Sequence, residues 1–278
     1  DNDEVILPAP YWASYGDIVS ISGGVPITVP TKAEDGFQLD LAAIEAAMTP
    51  RTKWILINSP SNPTGAVMTP EIMTALGDIL ARHPQCWLMS DEIYEHLTYG
   101  ATFTSAYDQL PHLRDRMLIT NGVSKAYAMT GWRVGYGIGP ADLIKGMTAV
   151  QAQGPSGTCS IAQAAALAAL EGPQDLLAER RASFLSRRDL VLAHLSTMKG
   201  IHTPTPEGAF YTFSSWAGLK GGTTPSGQRL ETDHEFCSYI LDAANVTIIP
   251  GTGFAAPGHF RISYACDASD LDKAMTRM

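Results

Sequence analysis

Apolar residues fall along this chain in two rhythms. Short runs at Val5-Ile6-Leu7, Trp54-Ile55-Leu56-Ile57, Cys86-Trp87-Leu88-Met89 and Met117-Leu118-Ile119-Thr120 read as buried strands. Between them, 39–48, 70–82 and 142–153 repeat their apolar positions at helical spacing. The second of these opens on Pro70 after Thr69, a favourable first-turn place for a residue that has no N–H to donate. Strands that alternate with helices in this way build a mainly parallel sheet covered by helices, so the expected class is α/β. Residues 173–198 carry Arg and Glu clusters on a helical period and predict one long connecting helix. Beyond it the rhythm changes. Residues 210–213, 246–249 and 260–264 predict strands of a smaller sheet, 233–244 a helix on it, and 218–227 a surface loop. The expected organisation is a large domain over 1–182 and a small α+β domain over 183–278, without internal repeats.

Composition narrows the function classes. The 278 residues are 45% hydrophobic, ample for a sizeable core. A formal charge of −9 argues against nucleic acid or an anionic membrane as partner. Cys86, Cys159, Cys237 and Cys266 are scattered with no CxxC pair, so neither a disulfide framework nor a metal site is expected. No stretch approaches a membrane span, the Ala-rich run 161–170 being too short, and the first residues lack the charged and apolar regions of a signal peptide. The expectation is a cytoplasmic enzyme.

Candidate chemistry centres on 124–136, where Lys125 stands eight residues before Arg133 among small and aromatic residues. A lysine whose surroundings favour the neutral amine is an imine-forming nucleophile. Arginine stays charged, and its planar fork suits phosphate. Together they describe a site for an aldehyde that carries a phosphate, although the spacing alone is also met by two solvated surface charges. Asn62, in Asn62-Pro63-Thr64-Gly65 after a predicted strand, sits where ligand sites on α/β sheets gather, or simply in a tight turn. Asp91 closes another strand, where it is either a helix cap or a carboxylate for a cationic ring. Trp12 reads as core or as a stacking face, and Arg261 as an edge charge or a reader of carboxylates.

The company these residues keep decides between the readings. A small residue, Lys125, two variable positions, Ala128-Met129 and then Gly131-x-Arg133-Val134-Gly135 closely resemble the lysine segment of class I pyridoxal-phosphate-dependent aminotransferases. Asn62-Pro63-x-Gly65, Asp91 with Tyr94, Pro10-x-Trp12 and Arg261 follow in the family's order, so the resemblance spans the chain and is nearest the bacterial aspartate aminotransferase branch. It implies fold type I, with a mainly parallel, seven-stranded type of sheet. It also implies pyridoxal 5'-phosphate as cofactor, held as an imine on Lys125. In the family pattern Asp91 partners the ring nitrogen and Tyr94 and Asn62 the phenolic oxygen. Trp12 stacks on the ring, and Arg133 and Ser124 contact phosphate. Arg261, with Asn62 and Trp12, binds the substrate, and the peptide bond before Pro63 is cis. Glu92 and Glu95 are expected to face solvent or polar partners.

The resemblance further implies that Lys125 shuttles a proton as general base and acid while an amino acid, aspartate or glutamate by this branch, is exchanged for a 2-oxo acid. A homodimer is implied as well. Members of the family carry a substantial portion before the equivalent of Asp1, with a glycine-rich phosphate loop and a tyrosine that reaches the neighbouring subunit. The chain is therefore expected to be part of a longer enzyme, or else a truncated product for which cofactor binding stays open. Aromatic and kynurenine aminotransferases, decarboxylases and carbon–sulfur lyases share most of these motifs and stay open. A dinucleotide-binding dehydrogenase, hinted at by the glycines of 135–139, is disfavoured by incomplete spacing and by Pro140.

Overall fold

The computed structural model describes residues 2–278. Its first layer runs β1 (Glu4–Ala9), α1 (Ser14–Ile21), β2 (Val25–Pro30), α2 (Leu41–Ala47), β3 (Thr52–Asn58), α3 (Pro70–Arg82), β4 (Trp87–Asp91), α4 (Ala106–Gln109), β5 (Met117–Gly122) and β6 (Gly135–Ile138). The six strands described lie in the order β2-β1-β3-β4-β5-β6, all parallel except β6, which pairs antiparallel with β5. Alternation along the strands sorts the apolar side chains. Ile6, Ile55, Ile57, Leu88 and Ile119 join one core with Met73, Leu76 and Leu80 of α3, while Leu7 and Leu56 pack with Tyr15 of α1 on the other face. Thr69 caps α3 by accepting the Ile72 N–H, and Pro70 follows as expected.

α5 (Ala141–Gln153) and α6 (Ser160–Glu171) lead into α7 (Asp175–Thr197), one unbroken helix that passes through the expected boundary at 182/183. Then come β7 (Tyr211–Ser215), α8 (Asp233–Ala244), β8 (Ile249–Pro250), β9 (His259–Ser263) and α9 (Ala268–Arg277), with an antiparallel sheet in the order β7-β9-β8. Thr232 and Glu235 form a reciprocal capping box on α8. A second core gathers Trp216, Phe236, Phe260 and Tyr264 with Val191 and Leu195 of α7, and reaches back to Tyr94, Leu97 and Tyr99 after β4.

Several expectations shift. The strand predicted over 246–249 shrinks to Ile249–Pro250: Asn245 ends α8 in the left-handed conformation, Ile248 is buried without pairing, and Pro250 has no N–H for a ladder. β2, not anticipated, contains Pro26 and Pro30, which an edge strand tolerates. β6 converts 135–138 into an antiparallel strand, so these glycines form no phosphate-cradling turn and the dehydrogenase reading falls. Of the two settings expected for Glu92 the structure shows the polar partners: it is buried, accepting from Ser90 Oγ at 3.0 Å and the Ala106 N–H at 2.9 Å, and so braces the loop before α4. No helix among the described residues is long and apolar enough to cross a membrane.

Candidate active site

Because β1 lies between β2 and β3, the chain leaves its C-terminal end in one direction while the loop after β3 turns in the other, opening a crevice at this switch point. Asn58 and Asp91 are register partners at the ends of β3 and β4, and Asp91 faces Thr120 of β5. Strand ends thus bring residues far apart in sequence to one edge of the sheet.

The loop after β3 is drawn against the smaller sheet at Gly65. Its carbonyl accepts the N–H groups of Glu207 and Gly208 at 2.9 and 2.8 Å. Gly65 has φ +70°, and an added Cβ would stand 2.8 Å from the Gly208 carbonyl oxygen, so only glycine permits this approach. The peptide bonds before Pro60 and Pro63 are both cis, the second as expected. Asn58 stitches the loop in place, donating from Nδ2 to the Asp91 carbonyl at 2.8 Å and accepting the Asn62 N–H at 2.8 Å. Asn62, nearly buried, receives Arg261 Nη1 at 2.8 Å on its Oδ1.

All eight residues singled out from the sequence, Trp12, Asn62, Asp91, Tyr94, Ser124, Lys125, Arg133 and Arg261, line one cavity of about 490 Å³. Lys125 sits in the turn after β5, anchored on either side by buried Val123, Ala126 and Tyr127. Among the described residues its ammonium has neither a hydrogen-bond nor an ion-pair partner. Burial, followed by the charges of Arg133 and Arg261, holds the Lys125 amine below its ordinary pKa, which favours the neutral nucleophile. Arg133 takes a left-handed conformation, φ 57°, its guanidinium donating to the Thr130 carbonyl at 3.1 Å. Thr130 Oγ1 in turn holds the Ser124 carbonyl at 2.9 Å. Trp12 is 41% exposed and meets Tyr15 edge-on, leaving a broad aromatic face at the cavity wall. Arg261 has its guanidinium over Tyr211, 4.5 Å from the ring centroid, and over Phe254 at 4.9 Å.

Asp91 shows the electrostatic character of the cavity most directly. Burial pushes its carboxyl above the usual aspartate pKa, against the opposing pull of the Tyr15 hydroxyl, the Ile93 N–H and the Lys125 charge. Tyr15 donates to Asp91 Oδ2 at 2.5 Å. Sequence reasoning missed Tyr15, because on α1 it falls, with Val19, on the buried face and reads as core. Tyr15→Phe is expected to raise the Asp91 pKa by about one unit in the cofactor-free chain, the scale of one hydrogen bond to a charged group. Carboxyl-carbon NMR titration reads the shift, and an unmoved pKa would remove Tyr15 from this role. Tyr211, Asn58 and Asn121 also line the cavity without having been anticipated.

A larger apolar cleft of about 710 Å³ lies over Trp54, Trp87 and Met89, with Asp3 and Lys53 as its charged lining residues. It gathers no comparable set of titratable groups.

Known proteins resemble the chain over its whole length. The family model for aminotransferase class I and II matches residues 1–278. An aspartate aminotransferase of Rhizobium meliloti (strain 1021) is 51% identical over 99% of this chain, which spans 68% of that relative. An aspartate/prephenate aminotransferase of Cereibacter sphaeroides is 49% identical, with 99% of this chain and 69% of the relative covered. The crystal structure of the Rhizobium meliloti aspartate aminotransferase superposes with a TM-score of 0.96 at 50% identity, over 99% of this chain and 69% of that one.

Proposed function

This chain belongs to the class I and II aminotransferase family, and we propose that it transfers the amino group of aspartate or glutamate to a 2-oxo acid through Lys125. Pyridoxal 5'-phosphate is the cofactor of this family and fold type. The observation that carries the assignment of Lys125 is its amine, unpartnered among the described residues and held below its ordinary pKa, in one cavity with a buried carboxylate and two guanidinium groups.

The residues fit that cofactor on physical grounds. Asp91 is a carboxylate that burial disfavours and that makes no ion pair among the described residues, so a protonated ring nitrogen would stabilise it. Arg133 makes no ion pair among the described residues, and its fork, beside Ser124, suits a phosphate. Tyr94 and Asn62 carry the donors for a phenolic oxygen, and Trp12 the face for a ring. When bound, the cofactor supplies an electron sink for the pair left behind as the substrate's Cα proton departs. Arg261 receives the substrate carboxylate, with Asn62 fixing the guanidinium plane through Oδ1. Lys125 Nζ, in the same cavity and held below its ordinary pKa, would take the Cα proton as general base and hold it for return.

The aspartate reading is supported by relatives whose names pair aspartate with this activity. Incubation with aspartate, 2-oxoglutarate and pyridoxal phosphate is expected to yield oxaloacetate. Turnover confined to aromatic donors would overturn that specificity while leaving the transferase intact. Arg261→Ala is expected to cut kcat/KM about 10²- to 10³-fold, the loss of a desolvated, hydrogen-bonded charge pair, and lysine in its place cannot restore the bidentate fork. Kinetics with α-carboxylate donors check this, and a variant within about threefold of the parent would exclude Arg261 as the carboxylate reader.

The cellular and quaternary setting is part of the same proposal. A homodimer is supported by Ile161, Leu167 and Leu170, large apolar residues exposed along α6. A cytoplasmic location is supported by four cysteines without a disulfide. A division near 182/183 into cofactor-binding and smaller domains is supported by the two separate sheets.

A further inference from the structure

We propose that Tyr211 is a positioning residue for amino transfer: its hydroxyl donates to the Tyr94 oxygen and thereby turns the Tyr94 proton toward the phenolic oxygen of the cofactor. The inference rests on the pyridoxal phosphate reading given above.

Tyr94 lies after β4 and Tyr211 opens β7, 117 positions later, yet their hydroxyl oxygens stand 3.0 Å apart. Both side chains are buried, and among the described residues this is the one side-chain hydrogen bond that either hydroxyl makes. A phenol has a single proton, so one member of the pair donates and the other accepts. Left to themselves, the two can hold either orientation. An acceptor in the cavity removes that freedom. Once the Tyr94 proton is engaged by a phenolic oxygen, only Tyr211 can donate across the 3.0 Å gap.

The surroundings favour Tyr211 as donor and hold the pair together. The Arg261 guanidinium carbon lies 4.5 Å from the Tyr211 ring centroid, and a cation at that distance strengthens the phenol as a donor. The two tyrosine rings meet edge to face at 5.9 Å and 83°, and Phe210 packs against both, at 5.4 Å from Tyr94 and 4.7 Å from Tyr211. One side chain therefore serves two others, Arg261 through its ring face and Tyr94 through its hydroxyl. Donation to Tyr94 polarises that hydroxyl and strengthens its grip on negative charge at the phenolic oxygen. With pyridoxal phosphate bound, the consequence would be a Lys125 nitrogen that holds its proton less tightly.

Tyr211→Phe keeps the ring face and deletes the hydroxyl, whereas Tyr211→Leu removes both. The purified chain is loaded with pyridoxal phosphate and the absorbance of the Lys125-bound chromophore is titrated against pH. Tyr211→Phe is expected to raise the midpoint by about half a unit, a partial loss of one neutral hydrogen bond. Tyr94→Phe should raise it further, and the double variant should match Tyr94→Phe alone. KM for the amino donor should stay within about twofold in Tyr211→Phe and rise about tenfold in Tyr211→Leu, which leaves Arg261 unsupported. A midpoint that is unchanged or lowered in Tyr211→Phe, or a double variant in which the two shifts add, overturns the proposal. A second readout needs no cofactor: the tyrosine Cζ resonance of Tyr94, assigned with Tyr94→Phe, should move in Tyr211→Phe. A resonance that stays in place also overturns the proposal. A parent chain that shows this movement but never develops the chromophore sinks the cofactor reading, and the proposal with it, while leaving the tyrosine pair itself established.

Discussion

Lys125→Ala is expected to abolish oxaloacetate formation, by about 10⁴-fold or more, and to remove the absorbance that pyridoxal phosphate acquires on the parent chain. Two functions disappear with one amine. The first is nucleophilic, and it depends on the neutral form that burial and the charges of Arg133 and Arg261 favour. The second is proton transfer at Cα, which alone is worth about 10²- to 10⁴-fold. Lys125→Arg keeps a cation in the cavity but cannot serve as nucleophile or base at neutral pH, so it should fail equally. Borohydride trapping followed by peptide mapping gives an independent check. Of the seven lysines in the chain, Lys125 should be labelled first near neutral pH, because a depressed pKa leaves more of it unprotonated. Ordinary turnover in Lys125→Ala, or labelling spread evenly over the lysines, would end the assignment.

Asp91→Asn is expected to act in opposite directions on activity and stability. Loss of the carboxylate leaves a cationic ring nitrogen without its counter-charge, and turnover should fall about 10²- to 10³-fold, the scale of deleting one preorganised electrostatic partner. In the cofactor-free chain the same carboxylate is a liability. Its pKa is raised in the folded state from an ordinary value of 3.8, so between those two values the folded chain binds more protons than the unfolded one. Stability therefore falls as pH rises through that window, and the penalty persists at neutral pH. Asp91→Asn removes it. Without cofactor its thermal midpoint should exceed that of the parent at pH 7, and the advantage should vanish below about pH 4. Thermal unfolding at the two pH values is the measurement, and a variant less stable than the parent at pH 7 would contradict the electrostatic account.

Much of the layered fold could be read from periodicity, because buried strands and one-sided helices leave distinct spacings. β1, β3, β4 and β5 appeared as apolar runs, α3 and α7 within two residues of their ends. Weakly patterned elements did not. β2 carries two prolines and β6 two glycines, and both sit at the edges of the sheet, where fewer side chains are buried and so less pattern is imposed. Glu92 illustrates the limit at a single residue. Its burial depends on the Ala106 N–H, fourteen positions away, coming to meet it.

For the site, the order of motifs in this chain determined which residue types were available: an amine at 125, a carboxylate at 91, an amide at 62 and guanidinium groups at 133 and 261. Tertiary structure decided which of them meet, and through what. Arg261 reaches Asn62 across 199 positions, Tyr15 reaches Asp91 across 76, and Tyr211 reaches Tyr94 across 117. A tyrosine on an amphipathic helix or an alternating strand has the same spacing whether its hydroxyl is idle or engaged, so Tyr15 and Tyr211 left no mark in the pattern. A hydrogen bond depends on tenths of an ångström. That precision comes from sheet register at Asn58, Asp91 and Thr120 and from the close approach at Gly65, neither of which local spacing encodes.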